Sequence, residues 1–139
     1  MLTGRCYCGA TTLSADASPL VVSYCHCEDC RRWTGAPLPA FVALPAGSLN
    51  LTPEPEPFSA VPGVKRWVCG VCGSPMAAHF DYLPDQIYVP IGLVDQTAAL
   101  APELHSHAHA TLPWLHVADD LPRHTGSARA TLNASSEQP

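Results

Sequence analysis

A small all-β domain of short antiparallel strands, held together by bound metal, is the fold class that these 139 residues predict. Three observations carry that reading. Fifteen prolines are about twice the usual share, which disfavours long helices and suits short strands joined by fixed turns. The apolar stretches are brief, rich in β-branched residues and bounded by turn residues. Seven cysteines fall in three tight groups: Cys6 with Cys8, Cys25 with Cys27 and Cys30, and Cys69 with Cys72.

The elements follow in order. Residues 10–13 and 20–24 read as strands with a turn between them at 14–19. The second strand runs into the cysteine triplet. Residues 29–33 read as a single helical turn ending at Gly35. Residues 38–44 form another strand, closed by the Pro45-Ala46-Gly47 turn, and 48–51 a short extended piece. Residues 52–57 alternate with proline and read as a loop. Strands are expected at 64–68, leading into Cys69, and at 75–80 and 86–91; residues 95–101 suit a short helix. His105, His107 and His109 alternate, so a strand would place them on one face as a polar surface stripe. The domain is expected over residues 1–125, with 126–139, small and polar, as a disordered tail.

Composition narrows the function. A hydrophobic content of 47% suffices for one core, and there is no apolar run near the ~18 residues a membrane span needs. The formal charge of −5, with no basic run, is a poor match to nucleic acid or an anionic membrane. The N-terminal residues show no apolar signal segment, so the expected location is the cytoplasm. Reducing conditions there, and an odd number of thiols, argue against structural disulfides. An iron–sulfur cluster also suits cysteine groups. Zinc fits the flanking turns and the distant pairing better.

The spacing suggests how the sulfurs divide. Two sulfurs on a tetrahedral zinc sit roughly 3.8 Å apart. A C-x-C segment can reach that when residues i and i+2 share a face, and a C-x-x-C turn can do so with Gly70 and Gly73 nearby. Cys25, Cys27 and Cys30 then supply three ligands to one ion. Cys6, Cys8, Cys69 and Cys72 must meet across the chain to fill another, closing a long loop. Four thiolates close a structural site, whereas three leave one corner open, unless His26, Glu28 or Asp29 fills it. An open zinc with three thiolates is a weak Lewis acid, better suited to take a soft fourth ligand, a substrate thiol, and hold it as a nucleophilic thiolate. The implied reaction is addition of a thiol to a small electrophile, or its reverse. The locally basic pairs Arg31-Arg32 and Lys65-Arg66 could draw an anionic substrate, and Trp33, Trp67 and Trp114 read mainly as core.

Several segments together resemble the glutathione-dependent formaldehyde-activating enzymes, a family that also contains relatives of centromere protein V. They are Gly4-Arg5-Cys6-Tyr7-Cys8-Gly9, Cys25-His26-Cys27-Glu28-Asp29-Cys30-Arg31 with Thr34-Gly35-Ala36-Pro37, and Arg66-Trp67-Val68-Cys69-Gly70-Val71-Cys72-Gly73-Ser74-Pro75. Gly92-Leu93-Val94-Asp95, His105 and Pro113-Trp114 extend the match. The resemblance implies a β-tent of small coiled sheets. It implies a structural zinc at Cys6, Cys8, Cys69 and Cys72 and a catalytic, more labile zinc at Cys25, Cys27 and Cys30. It also implies a carbon–sulfur lyase activity, the formation of S-(hydroxymethyl)glutathione from glutathione and formaldehyde. Arg31, Arg32 and Lys65 are the candidates to hold the thiol's carboxylates. A non-catalytic interaction module of the same fold is the alternative; the centromere-associated relatives would carry basic extensions, and this chain is acidic. A redox sensor built on the triplet is a third possibility.

Overall fold

The computed structural model describes residues 1–127, and it is mainly β with one α-helix. Of the tail expected from residue 126 onward, all but Gly126 and Ser127 lies outside the described residues. The first strand, β1 (Leu2–Arg5), was not expected: it is short and contains glycine. It pairs antiparallel with β2 (Thr12–Ala15), which starts and ends two residues later than expected because Leu13 and Ala15 both point into the core. The other strands are β3 (Val21–Cys25), β4 (Ala40–Pro45), β5 (Leu49–Thr52), β6 (Val64–Val68), β7 (Pro75–Phe80), β8 (Gln86–Pro90) and β9 (Leu104–Ser106). The helix α1 spans Glu28–Thr34, two turns rather than one, and ends where expected, at Gly35. Gly35 adopts a left-handed φ of 75°, and its N–H closes the helix on the Arg31 carbonyl, a conformation glycine takes without penalty. The short helix expected at 95–101 is a single 3₁₀ turn, Thr97–Ala99.

Two sheets result, a three-stranded one in the order β1-β2-β5 and a six-stranded one in the order β6-β7-β8-β4-β3-β9. Pairing is antiparallel throughout except for β3 and β9, which run parallel, a departure from the all-antiparallel expectation. Alternation along the strands divides the core in two. Val22, Val42, Leu44 and Val89 pack toward Leu2 and Leu13 of the small sheet, in a cluster that also holds Cys6 and Cys69. Their neighbours Val21, Phe41, Ala43 and Tyr88 pack in a second cluster, with Cys25, Cys30 and Leu83. One sulfur group is thus tied to each core, and the large sheet stands between them.

The histidine stripe does not form. β9 stops at Ser106 because His107 takes a left-handed φ of 52°, turning the chain so that its N–H donates to the Gly126 carbonyl. His105 is consequently 1% exposed, His107 faces the second core's cavity, and His109 lies outside. Trp114 is 64% exposed rather than core, while Trp67 packs against the first cluster and Trp33 against the second. No helix among the described residues is long and apolar enough to cross a membrane.

Candidate functional site

The sulfur atoms gather in the two groups the spacing suggests. Cys6, Cys8, Cys69 and Cys72 form one and Cys25, Cys27 and Cys30 the other, and within each the sulfurs all lie within 4.8 Å of one another. All seven cysteines are free of disulfides. Cys6 and Cys8 come from the loop after β1, and Cys69 and Cys72 from the turn between β6 and β7, so the four-sulfur group bridges the two sheets. The turn closes with Gly73 at φ 76°, its N–H bonded to the Cys69 carbonyl. The Cys6–Cys8 and Cys8–Cys69 sulfur separations are 3.6 and 3.9 Å, close to the edge of a zinc–sulfur tetrahedron. Backbone N–H groups of Ala10, Thr11 and Val71 point at these sulfurs, at 3.3–3.4 Å. The Ser74 hydroxyl, 3.0 Å from Cys72 Sγ, brings that thiol down to about 5. The donors favour the thiolate, the form that binds a metal, at Cys69 and Cys72, whereas at Cys8 the Ala10 N–H is outweighed by desolvation and the neighbouring thiols, which push the thiol up.

The three-sulfur group sits where β3 meets α1. Cys25 Sγ is 3.3 Å from both Cys27 Sγ and Cys30 Sγ. Cys27 is the N-cap of α1 and accepts the Cys30 N–H at 3.3 Å. Hydrogen bonds from Cys25 and then Cys30 hold the Cys27 thiol far below its ordinary value, while the same contacts push Cys30 far up. Packing three thiolates together is repulsive, and a dication among them removes that repulsion. This donor set fits a soft divalent metal such as zinc.

None of the nearby side chains considered as a fourth donor joins the group. His26 turns to the opposite side, its Nε2 2.7 Å from His105 Nδ1 and its Nδ1 3.1 Å from Thr111 Oγ1. Glu28 pairs with Arg32, and Asp29 pairs with Arg66. Instead the three sulfurs face a cavity of about 360 Å³ whose wall is largely apolar, with Phe41, Phe80 and Leu83 among its lining residues. Ligand sites of this size and character are typical of small-molecule binding.

Residues 1–110 match the family model of the glutathione-dependent formaldehyde-activating enzymes. The chain belongs to this family. An uncharacterized lyase of Schizosaccharomyces pombe is 30% identical over 79 residues, which make up 57% of this chain and 56% of that protein; the match thus spans little more than half of the curated relative's length. A crystal structure of a Rhodobacter sphaeroides protein shares the fold, with a TM-score of 0.53 and 19% identity, covering 87% of this chain and 98% of that one. For a member of this family, a lyase-type reading and two cysteine groups able to hold metal agree with the geometry.

The basic candidates are redistributed. Arg31 donates to the carbonyls of His26 and Ala110, tying the triplet to the late segment, so it is structural. Arg32 is exposed and paired with Glu28, and Lys65 is exposed; neither lines the cavity. Arg66 does line it, at 5% exposure. The period-2 pattern of β6 carried that signal, since Arg66 shares a face with Val64 and Val68. Trp33 does not line the cavity but lies against the Arg66 guanidinium, 4.2 Å from its ring centroid.

Behind the triplet runs a buried chain. His26 contacts His105, and His105 Nε2 reaches Asp119 Oδ2 at 2.9 Å. The His105 hydrogen bond is the main reason the Asp119 carboxyl is held down, at about 2. Burial keeps His26 below its usual value, favouring a neutral ring. Thr111 Oγ1 donates to the Ala108 carbonyl at 2.7 Å and lies 3.1 Å from His26 Nδ1, which fastens the far side of the His26 ring. Asp95, the other late residue of the family pattern, accepts from Thr3 Oγ1 and serves β1. Asp119→Asn is expected to lower the melting temperature by several degrees and to loosen residues 105–124 in hydrogen exchange, without changing the metal content; unchanged exchange there would contradict the role given to this chain of contacts.

Proposed function

We propose that this protein is a zinc-dependent carbon–sulfur lyase that joins a thiol, glutathione or a similar molecule, to formaldehyde or another small electrophile. The observation that carries the reading is the cavity: three thiols, joined by no fourth donor among the described residues, face a largely apolar pocket of small-molecule size. Cys25, Cys27 and Cys30 would hold the catalytic zinc, and Cys6, Cys8, Cys69 and Cys72 the structural one. Held by Cys25, Cys27 and Cys30, zinc would supply affinity for a soft external sulfur and would lower the pKa of a thiol there.

The reaction balances simply. The thiol S–H gives up its proton, a carbon–sulfur bond forms at the aldehyde carbon, the carbonyl π bond opens, and the oxygen takes a proton to become hydroxyl. The reverse breaks the same bonds. The chain's contribution is to bring the two reactants together beside the triplet and to limit water there with Phe41, Phe80 and Leu83. Seven unpaired thiols suit a reducing compartment such as the cytoplasm.

Turnover of glutathione plus formaldehyde, compared with the uncatalysed rate, tests the reading. A variant with serine at Cys25, Cys27 and Cys30 is expected to retain the fold and fall to the background rate; wild-type turnover in that variant would end the proposal. Graded chelation offers a second check. The three-sulfur site should release its zinc first, with little change in far-ultraviolet circular dichroism, and the four-sulfur site only later, together with unfolding.

A further inference from the structure

We propose that Arg66 and Tyr88 form a carboxylate-binding subsite in the cavity, so that the thiol taken there is compact, mainly apolar and carries a single carboxylate; this rests on the thiol-lyase reading of the same cavity. The two side chains belong to one cross-strand row. Arg66 of β6 is paired with Ala78 of β7, and Ala78 with Tyr88 of β8. With adjacent strands about 4.8 Å apart, the outer two lie roughly 10 Å apart at their Cα atoms. The methyl group of Ala78 between them leaves a trough, and all three residues line the cavity.

Both outer residues hold a buried polar atom with no partner among the described residues. Arg66 is 5% exposed and Tyr88 8%. Arg66 Nη2 is committed to Asp29, and the guanidinium lies over Trp33, with Phe80 5.4 Å away, so its orientation is set. Arg66 Nη1 and the Tyr88 hydroxyl are buried without a hydrogen-bond partner among the described residues. Buried donors without acceptors are costly, and a buried guanidinium with a spare N–H favours a carboxylate oxygen. Burial also pushes the Tyr88 phenol up, so it keeps the proton it would donate. The alternatives named from sequence, Arg31, Arg32 and Lys65, are engaged or exposed outside this cavity.

The rest of the lining sets the size and charge of the ligand. Apart from Arg66 the charged or titratable groups there are Asp29, already paired, His107, the three cysteines and the two tyrosines Tyr82 and Tyr88. The spare N–H of Arg66 and the Tyr88 hydroxyl offer donors for one carboxylate, and no other arginine or lysine among the described residues lines the cavity to hold a second.

Calorimetric titration of the zinc-loaded full chain with 3-mercaptopropionate, 1-propanethiol, butyrate and glutathione tests this. The carboxylated thiol is expected to bind at least about tenfold more tightly than 1-propanethiol, and no less tightly than glutathione. Tyr88→Phe should remove about tenfold from 3-mercaptopropionate binding and nothing from 1-propanethiol, without lowering the melting temperature, because the hydroxyl it deletes has no partner among the described residues. Arg66→Met should abolish the preference. Its loss of the Asp29 pair could disturb the fold, which is why Tyr88→Phe carries the test. Equal binding of the two small thiols to the wild type, or equal losses in Tyr88→Phe, overturns the subsite. Glutathione binding more than tenfold tighter than 3-mercaptopropionate overturns the single-carboxylate assignment. Butyrate binding as tightly as 3-mercaptopropionate would leave the subsite standing and remove the lyase reading instead.

Discussion

Cys69→Ser is expected to leave the protein unfolded or aggregated at neutral pH. The four-sulfur group joins the loop after β1 to the turn between β6 and β7, and the contacting pair Cys8 and Cys69 is 61 positions apart in sequence. The serine would preserve much of the local turn, since the bonds from Cys69 N–H to Ser74 and from Gly73 N–H to Cys69 are made by backbone. On the proposed reading, what it removes is a ligand of the structural metal. A structural zinc contributes about 10–16 kcal/mol in small zinc domains, against a net stability of about 5–15 kcal/mol for an ordinary domain. Losing most of that contribution exceeds what the two small cores can hold. Circular dichroism and size-exclusion chromatography check the outcome; a folded monomer melting within a few degrees of wild type would show that the clip does not carry the fold.

Cys27→Ser should have the opposite profile. Cys27 is half-buried and caps α1 through its side chain, and serine is itself a favoured N-cap. The helix therefore survives, and the melting temperature should shift by only a few degrees. If each cysteine group holds zinc as proposed, one of two ions should be lost, and thiol–formaldehyde turnover should fall by at least about a hundredfold, at or beyond the loss usual for disturbing a residue behind a metal ligand. Metal analysis, a thermal melt and an initial-rate assay on the same preparation separate these effects. Retained turnover at one zinc per chain would move the chemistry away from the triplet.

The parts of the molecule legible in the sequence are those written locally. β6 and β7 begin and end where their apolar patterns do, and the helix stops at the glycine that can take a left-handed φ. The cysteine groups were legible because C-x-C and C-x-x-C spacing is itself a geometric statement about sulfur atoms. Long-range features were not. β1 is four residues with a glycine and gains its order from pairing with β2, and β9 ends early because residues 122–126 capture the backbone of His105, His107 and Ala108. Arg66 and Tyr88 fall in one cross-strand row with Ala78 only through strand register, which no local pattern contains. Asp119 has no motif at all; its role follows from the fold placing it against His105, fourteen residues earlier. The family match to residues 1–110 is consistent with that division, since it includes both cysteine groups and stops short of Asp119.

Zinc-edge X-ray absorption, on protein loaded with two zinc ions per chain and recorded before and after addition of a thiol substrate, tests whether the triplet accepts sulfur from outside the chain. The seven cysteine sulfurs shared by two ions should become eight sulfurs when the thiol is added, with one oxygen or nitrogen neighbour lost. A sulfur count that stays at seven in saturating thiol, or a fourth protein ligand at Cys25, Cys27 and Cys30 before the thiol is added, would contradict the account.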